Sequence, residues 1–161
     1  MNIGVIPVQL ADYLSENLIF LNLDASSKLE AFQAMVTNMA QQHAINQPQA
    51  FLQEVIAREN LEPTCIGRGV AFPHTRTEFV DRPVIAFART SRRIHFNSST
   101  NEAVNLIFML GTPKNEANEY LEILARLCRL LRRPGFRQRL LSAHSPKEIL
   151  QLFYESESPH N

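Results

Sequence analysis

The apolar run Val70-Ala71-Phe72 stops at Pro73-His74, and a Gly67-Arg68-Gly69 turn opens it. Proline has a fixed φ and no N–H to give a sheet, so a strand predicted over 70–72 must end there. The two glycines offer the φ freedom that a tight turn needs. His74 is therefore expected at a strand end, its imidazole held by backbone rather than carried on a loop. Close to it in sequence lie groups that can donate to an anion: Arg58, Thr64, Arg76 and the Gly67 and Gly69 amides. A histidine ringed by anion donors points to phosphate handling.

The pattern on either side of this turn gives the fold. Residues 17–23 alternate apolar with polar and predict a first strand. Ser27 with Glu30 reads as a capping box, and Leu29, Phe32, Val36 and Met39 recur at helical spacing to about residue 43. A turn at Asn46-Gln47-Pro48 starts a second helix with Phe51, Leu52, Val55 and Ile56 on its inner face. Four β-rich runs follow, at 70–72, 84–90, 93–96 and 104–110, separated by Pro83, Ser91 and the polar residues 97–101.

From Asn115 the period is helical again, with Leu121, Leu124, Ala125, Cys128 and Leu131 in one stripe. Pro134-Gly135 interrupts it, a short helix through Phe136, Leu140 and Leu141 follows, and Ser145 with Glu148 forms a second capping box. Pro146 then opens a last helix lined by Ile149, Leu152 and Phe153. This order, without a repeat or linker, implies a three-layer α/β/α sandwich: about five strands with helices on both faces. Residues 1–155 are read as one domain and 156–161 as a polar, flexible tail.

Composition narrows the function classes. The 161 residues, 45% of them hydrophobic, suit one full-sized core. Sixteen basic and sixteen acidic side chains cancel, which gives no charge signal for nucleic acid or an anionic membrane. The longest apolar runs, such as 103–110, are too short for membrane insertion. The first residues lack the pattern of a secretory signal and only Cys65 and Cys128 are present, so a reduced, cytoplasmic setting is expected.

His74 is suited to be a nucleophile, because an imidazole of ordinary pKa is largely free base near pH 7. Phosphoryl transfer asks the protein mainly for alignment and for donors to the equatorial oxygens. Arg58 can clamp such an oxygen with paired N–H groups, or form a helix-end ion pair with Glu59 or Glu62. Thr64 can donate to the same phosphate, or cap the turn. Gly67-Arg68-Gly69 lacks the Gly-Lys-Ser/Thr ending of a nucleotide loop, so it does not argue for ATP. Cys65 raises a thiol nucleophile or a metal site, but no second ligand pair has zinc-like spacing. His43, His95, His144 and His160 receive no role. The basic run Arg126, Arg129, Arg132, Arg133, Arg137, Arg139 reads as a solvated helix face, or as a dock for an acidic partner.

Residues 58–74 resemble the signature of enzyme IIA domains of the bacterial phosphotransferase system, in the mannitol/fructose class and its nitrogen-regulatory relatives. That pattern runs Arg-Glu, a few residues, Ser-Thr-Gly, then Ile-Gly-x-Gly-x-Ala-x-Pro-His. Residues 17–32, 95–110 and 118–131 resemble the family's first strand and helix, central strands and long helix. The resemblance implies a mixed sheet between helices and a cytoplasmic phosphoryl carrier that requires no metal, nucleotide or other cofactor. It implies that His74 forms a tele-phosphohistidine, with Arg58 nearby and Thr64 as the motif threonine. It implies the phosphocarrier protein HPr, or a nitrogen-branch paralogue, as donor, and an enzyme IIB cysteine or a regulated protein as partner.

Three positions depart from the pattern. Ser-Thr-Gly is Pro63-Thr64-Cys65, the residue after the histidine is Thr75, and a second family histidine is replaced by Tyr120. A phenol still donates one hydrogen bond but brings no positive charge near neutral pH, so slower or less stable phosphorylation is expected. The stretch shows no IIB, HPr or membrane segment of its own, which leans towards a regulator over a sugar-transport component. The rival expectation is a non-catalytic interaction module with a silenced site.

Overall fold

The computed structural model describes residues 9–61, 65–97, 102–115 and 117–157. Its elements are β1 (Ile19–Leu23), α1 (Lys28–Gln41), α2 (Pro48–Leu61), β2 (Cys65–Gly67), β3 (Val70–Ala71) and β4 (His74–Thr77). Then come β5 (Val84–Asn97), β6 (Glu102–Pro113), α3 (Ala117–Leu131), α4 (Pro134–Ser142) and α5 (Pro146–Ser156). The sheet runs β1-β5-β6-β3-β2, with β4 also paired to β6. β5 and β6 are antiparallel, as are β2 and β3, while β1 pairs with β5, and β3 and β4 with β6, in parallel. The sheet is therefore mixed.

Six strand segments occupy five positions. β3 lies beside Leu106 and Ile107, and β4 lies beside residues 110–113 of the same strand. Pro73 separates them, yet its carbonyl still accepts from the Leu110 N–H at 2.9 Å. The strand expected to end at Pro73 therefore pauses and resumes, because proline removes one donor without removing an acceptor. His74 begins the second segment.

Ser91, expected to separate two strands, instead sits inside the continuous β5. Its register against β6 slips between Arg89 and Ile94, so the polar residues between them bulge out while the ladder goes on. The sequence also gave no sign of the two short 3₁₀ turns, Leu10–Tyr13 and Glu16–Leu18, that precede β1.

Each sheet face has its own core. Leu106, Phe108 and Leu110 of β6 point towards α3, α4 and α5, where they meet Leu127, Leu140 and Phe153. Ile107 and Met109 point the other way, towards Phe32, Met35, Phe51 and Val55 of α1 and α2. A strand covered on both faces reads as a nearly unbroken apolar run, which is how residues 104–110 look. Gly111 lets α2 close in: a Cβ there would sit 3.1 Å from the Phe51 ring. That approach carries the end of α2 towards β4.

Both capping boxes form, displaced by one residue. Ser27 and Ser145 accept from the Glu30 and Glu148 N–H groups at 3.1 Å, while those glutamates accept from the N–H groups of Ser26 and His144 at 2.9 Å. Of the tail expected over 156–161, Ser156 ends α5 and Glu157 is tied down, while 158–161 lie outside the described residues. One Glu157 oxygen accepts from the Leu10 N–H at 2.6 Å and the other pairs with Arg126 at 3.0 Å. Among the described residues, no helix is long and apolar enough to cross a membrane.

Candidate functional site

His74 stands where the interrupted strand restarts. Its Nδ1 lies 2.7 Å from the Phe72 carbonyl, in the break itself. A carbonyl only accepts, so Nδ1 carries the proton and donates it. In the neutral ring the lone pair is then left on Nε2. That nitrogen faces Arg58, whose Nη2 donates to it from 3.2 Å. His74 as a whole is 9% exposed, so its surroundings fix its orientation.

Arg58 and Tyr120 arrive from opposite faces of the sheet. In the parallel register His74 matches Leu110 and Arg76 matches Thr112. Both therefore lie on the α3 side, since alternate residues share a face. Tyr120, in the first turn of α3, places its ring centroid 5.6 Å from that of His74 at an interplanar angle of 49°. Phe72 meets the same imidazole edge-on at 5.8 Å. Arg58, in the last turn of α2, comes from the other side. At this level β4 pairs only with β6 among the described residues, so its outer edge is where the two approaches meet.

Arg76 completes the cluster. Its guanidinium carbon lies 5.9 Å from the centre of the Tyr120 ring, and its Nη2 donates to the Lys114 carbonyl. Burial pushes the Tyr120 phenol above its usual range, against the charge and hydrogen bond of Arg58 and the charge of Arg76. Tyr120 is thus an O–H donor at neutral pH. Beside it, Glu119 accepts a short hydrogen bond from the Tyr13 hydroxyl, which fixes the start of α3 against the first 3₁₀ turn.

Other expected groups fall elsewhere. Gly67, Arg68 and Gly69 all have positive φ, at 89°, 60° and 82°. At Gly69 the requirement is also steric, because a Cβ would come within 2.8 Å of the Asn105 Oδ1. The Gly69 carbonyl accepts from the Asn105 and Leu106 N–H groups at 2.9 and 3.0 Å. Leu106 is four residues along β6 from Leu110, about 13 Å at strand rise, so the glycine amides do not ring His74. They belong to a turn, as the φ values require. Gly67 and Arg68 instead line a cavity of about 230 Å³ with Cys128, Leu131 and Arg132. Burial pushes the Cys128 thiol up, against the charge of Arg132. Thr64 and the Cys65 side chain lie outside the described residues.

One part of the site was missed from sequence: the Phe72 carbonyl as tautomer-setting acceptor has no signal beyond the strand break at Pro73. Arg76, named among the anion donors, shares the face of His74 because two residues along a strand restore it.

The family described as "Phosphoenolpyruvate-dependent sugar phosphotransferase system, EIIA 2" matches residues 12–156. The chain belongs to this family. It is 32% identical over 145 residues to the fructose-specific EIIABC component of Bacillus subtilis, covering 90% of this chain but only 23% of that protein. In solved structures it resembles the nitrogen regulatory protein IIA-Ntr of Neisseria meningitidis, with TM-score 0.83, 28% identity, and coverage of 89% of this chain and 98% of that one. The fold also matches IIA mannitol of Escherichia coli, solved in complex with phosphorylated enzyme IIB, at TM-score 0.73 and 23% identity, covering 88% and 96%. EIIA relatives thus include both sugar-transport and nitrogen-regulatory proteins, and the mixed sheet between two helical layers is theirs.

Proposed function

We propose that this EIIA domain is a phosphoryl carrier in which His74 Nε2 accepts the group from HPr or its nitrogen-branch paralogue. The observation that carries the reading is the Nδ1–H bond to the Phe72 carbonyl at 2.7 Å, which leaves the Nε2 lone pair facing Arg58. The phosphorylated donor presents its own phosphohistidine. Nε2 attacks phosphorus, the new N–P bond forms, and the donor's N–P bond breaks with its electron pair returning to the donor imidazole. The His74 ring gains positive charge, which the Phe72 carbonyl stabilises through Nδ1–H. Arg58, already within reach, turns its N–H groups to the incoming oxygens.

Two onward routes share this intermediate. In a transport role an enzyme IIB thiolate attacks phosphorus, an S–P bond forms, and the Nε2–P pair returns to His74. In a regulatory role the dianion stays and changes which proteins the surface binds. The membership in a family with both kinds of relative supports either. A cytoplasmic setting and a single domain over 1–155 accord with the reading. Thr64 remains a proposed donor by motif position.

Tyr120 favours a second reading, a binding module with silenced chemistry, because a neutral phenol stands where the resemblance places a histidine. One experiment separates them: intact-protein mass after incubation with phosphoenolpyruvate, enzyme I and HPr, or the nitrogen-branch equivalents, with a His74→Ala control. A single acid-labile phosphate on the wild type alone is expected. Labelling of the His74→Ala protein defeats the site assignment, and no labelling by either donor set leaves the module reading.

A further inference from the structure

Tyr120 meets the His74 ring at 5.6 Å between centroids without bringing charge, and Arg76 brings charge to Tyr120. Arg76 lies on the same face of β4 as His74, two residues on, with its guanidinium over the Tyr120 ring at 5.9 Å. It is exposed, so its charge is retained without a cost of burial. Its Nη2 donates to the Lys114 carbonyl. A guanidinium has five N–H donors, so one bond to a carbonyl anchors it while others stay available. Stacking on an aromatic face further restricts its orientation.

We infer that Arg76 and Tyr120 together form the second half of the phosphate grip, opposite Arg58, with the tyrosine as hydrogen-bond donor and the arginine as cation. This rests on the reading of His74 as the phosphorylated residue. The role that one protonated histidine could fill is divided between two side chains, one on β4 and one on α3. Guanidinium and phenol groups as a class do not titrate between pH 6 and 9. A histidine in that place loses its charge across the same window.

Among the described residues, Lys114, whose carbonyl Arg76 holds, lies just beyond β6. Arg58 faces the cluster from α2, His74 shares its strand, and Tyr120 and Glu119 come from α3. Glu119 is turned to Tyr13. Arg58 and Arg76 both lie near enough to Tyr120 to pull its pKa down, so both cations converge on one phenol.

The test compares wild type, Arg76→Gln, Arg76→Lys, and the double variant Arg76→Gln/Tyr120→His. The readouts are the rate of phosphorylation by phosphoenolpyruvate, enzyme I and the phosphocarrier, and the lifetime of phospho-His74, from pH 6 to 9. Arg76→Gln is expected to lose about tenfold in rate or lifetime, the scale of one charge pair near a surface. Its ratio to wild type is expected to stay flat across the pH range. Arg76→Lys should recover part of the loss. The double variant should recover towards wild type at pH 6 and fall back to Arg76→Gln levels by pH 8.5. Because the side chain is exposed, the urea midpoint of Arg76→Gln should match wild type. Wild-type rate and lifetime in Arg76→Gln overturn this inference and leave the carrier reading intact. A wild type that takes no phosphate overturns both.

Discussion

Two neighbouring residues of α2 send their charges to different ends. Glu59, 2% exposed, pairs with Lys28 at 3.3 Å, and Lys28 also donates to the Phe96 carbonyl at 3.1 Å and lies over the Phe96 ring. Arg58 directs an N–H to the lone pair of His74. Consecutive helical residues point about 100° apart, so one turn can serve both tasks. The Glu59 carboxylate is buried and meets a half-buried cation that reaches it from α1. Among the described residues, Arg58 lies against the His74 imidazole and Arg76 against the Tyr120 ring beside it. The Glu59 charge meets Lys28 within the fold, whereas Arg58 turns an N–H to the nitrogen proposed to take the phosphoryl group.

The sharpest challenge to that contrast is Lys28→Met. Removing the cation takes one charge-assisted hydrogen bond from a buried carboxylate, and about 2 kcal/mol of unfolding free energy should be lost, read from urea denaturation at pH 7. Phosphorylation per folded molecule should not change. Arg58→Met should show the reverse, phosphoryl transfer slowed about 100-fold with stability changed by less than about 1 kcal/mol. Equal damage to stability in both variants would erase the distinction between the two corners.

A smaller effect concerns Tyr13, whose phenol is raised by burial and then by its bond to Glu119. A raised acid is protonated in the fold where it would ionise when unfolded. Its contribution is therefore complete below pH 10, the ordinary tyrosine value, and lost as pH climbs beyond it. Wild type should lose about 1 kcal/mol more than Tyr13→Phe between pH 9 and 11, in urea midpoints measured side by side. Parallel curves would mean that this buried bond is not matched within the fold in the way the Lys28–Glu59 pair is.

What could be read in advance was mostly local. Ser27 and Ser145 announce their helices because a cap and its glutamate lie three residues apart, and Pro73 announces a break because its chemistry is its own. The turn at Gly67 and Gly69 was legible as a turn, but its distance from His74 was not. Distance between strand segments depends on pairing with β6, which lies more than thirty residues on. Arg58 was ambiguous for the same reason: the sequence shows its neighbours along the helix, not the strand across from it. Ser91 misled because a bulge and a turn use similar residues, and only a partner strand distinguishes them. The Tyr120 contact with His74 needed the family resemblance, while its contact with Arg76 needed coordinates.

Glu157 holds the Leu10 N–H while pairing with Arg126, so the two ends of the described chain meet at one side of α3. A unit whose entry and exit points touch can be spliced into a surface loop of a host protein with little stretching of either. Joining those ends and opening the chain elsewhere should likewise yield a circular permutant that keeps His74, Arg58 and Tyr120 in place.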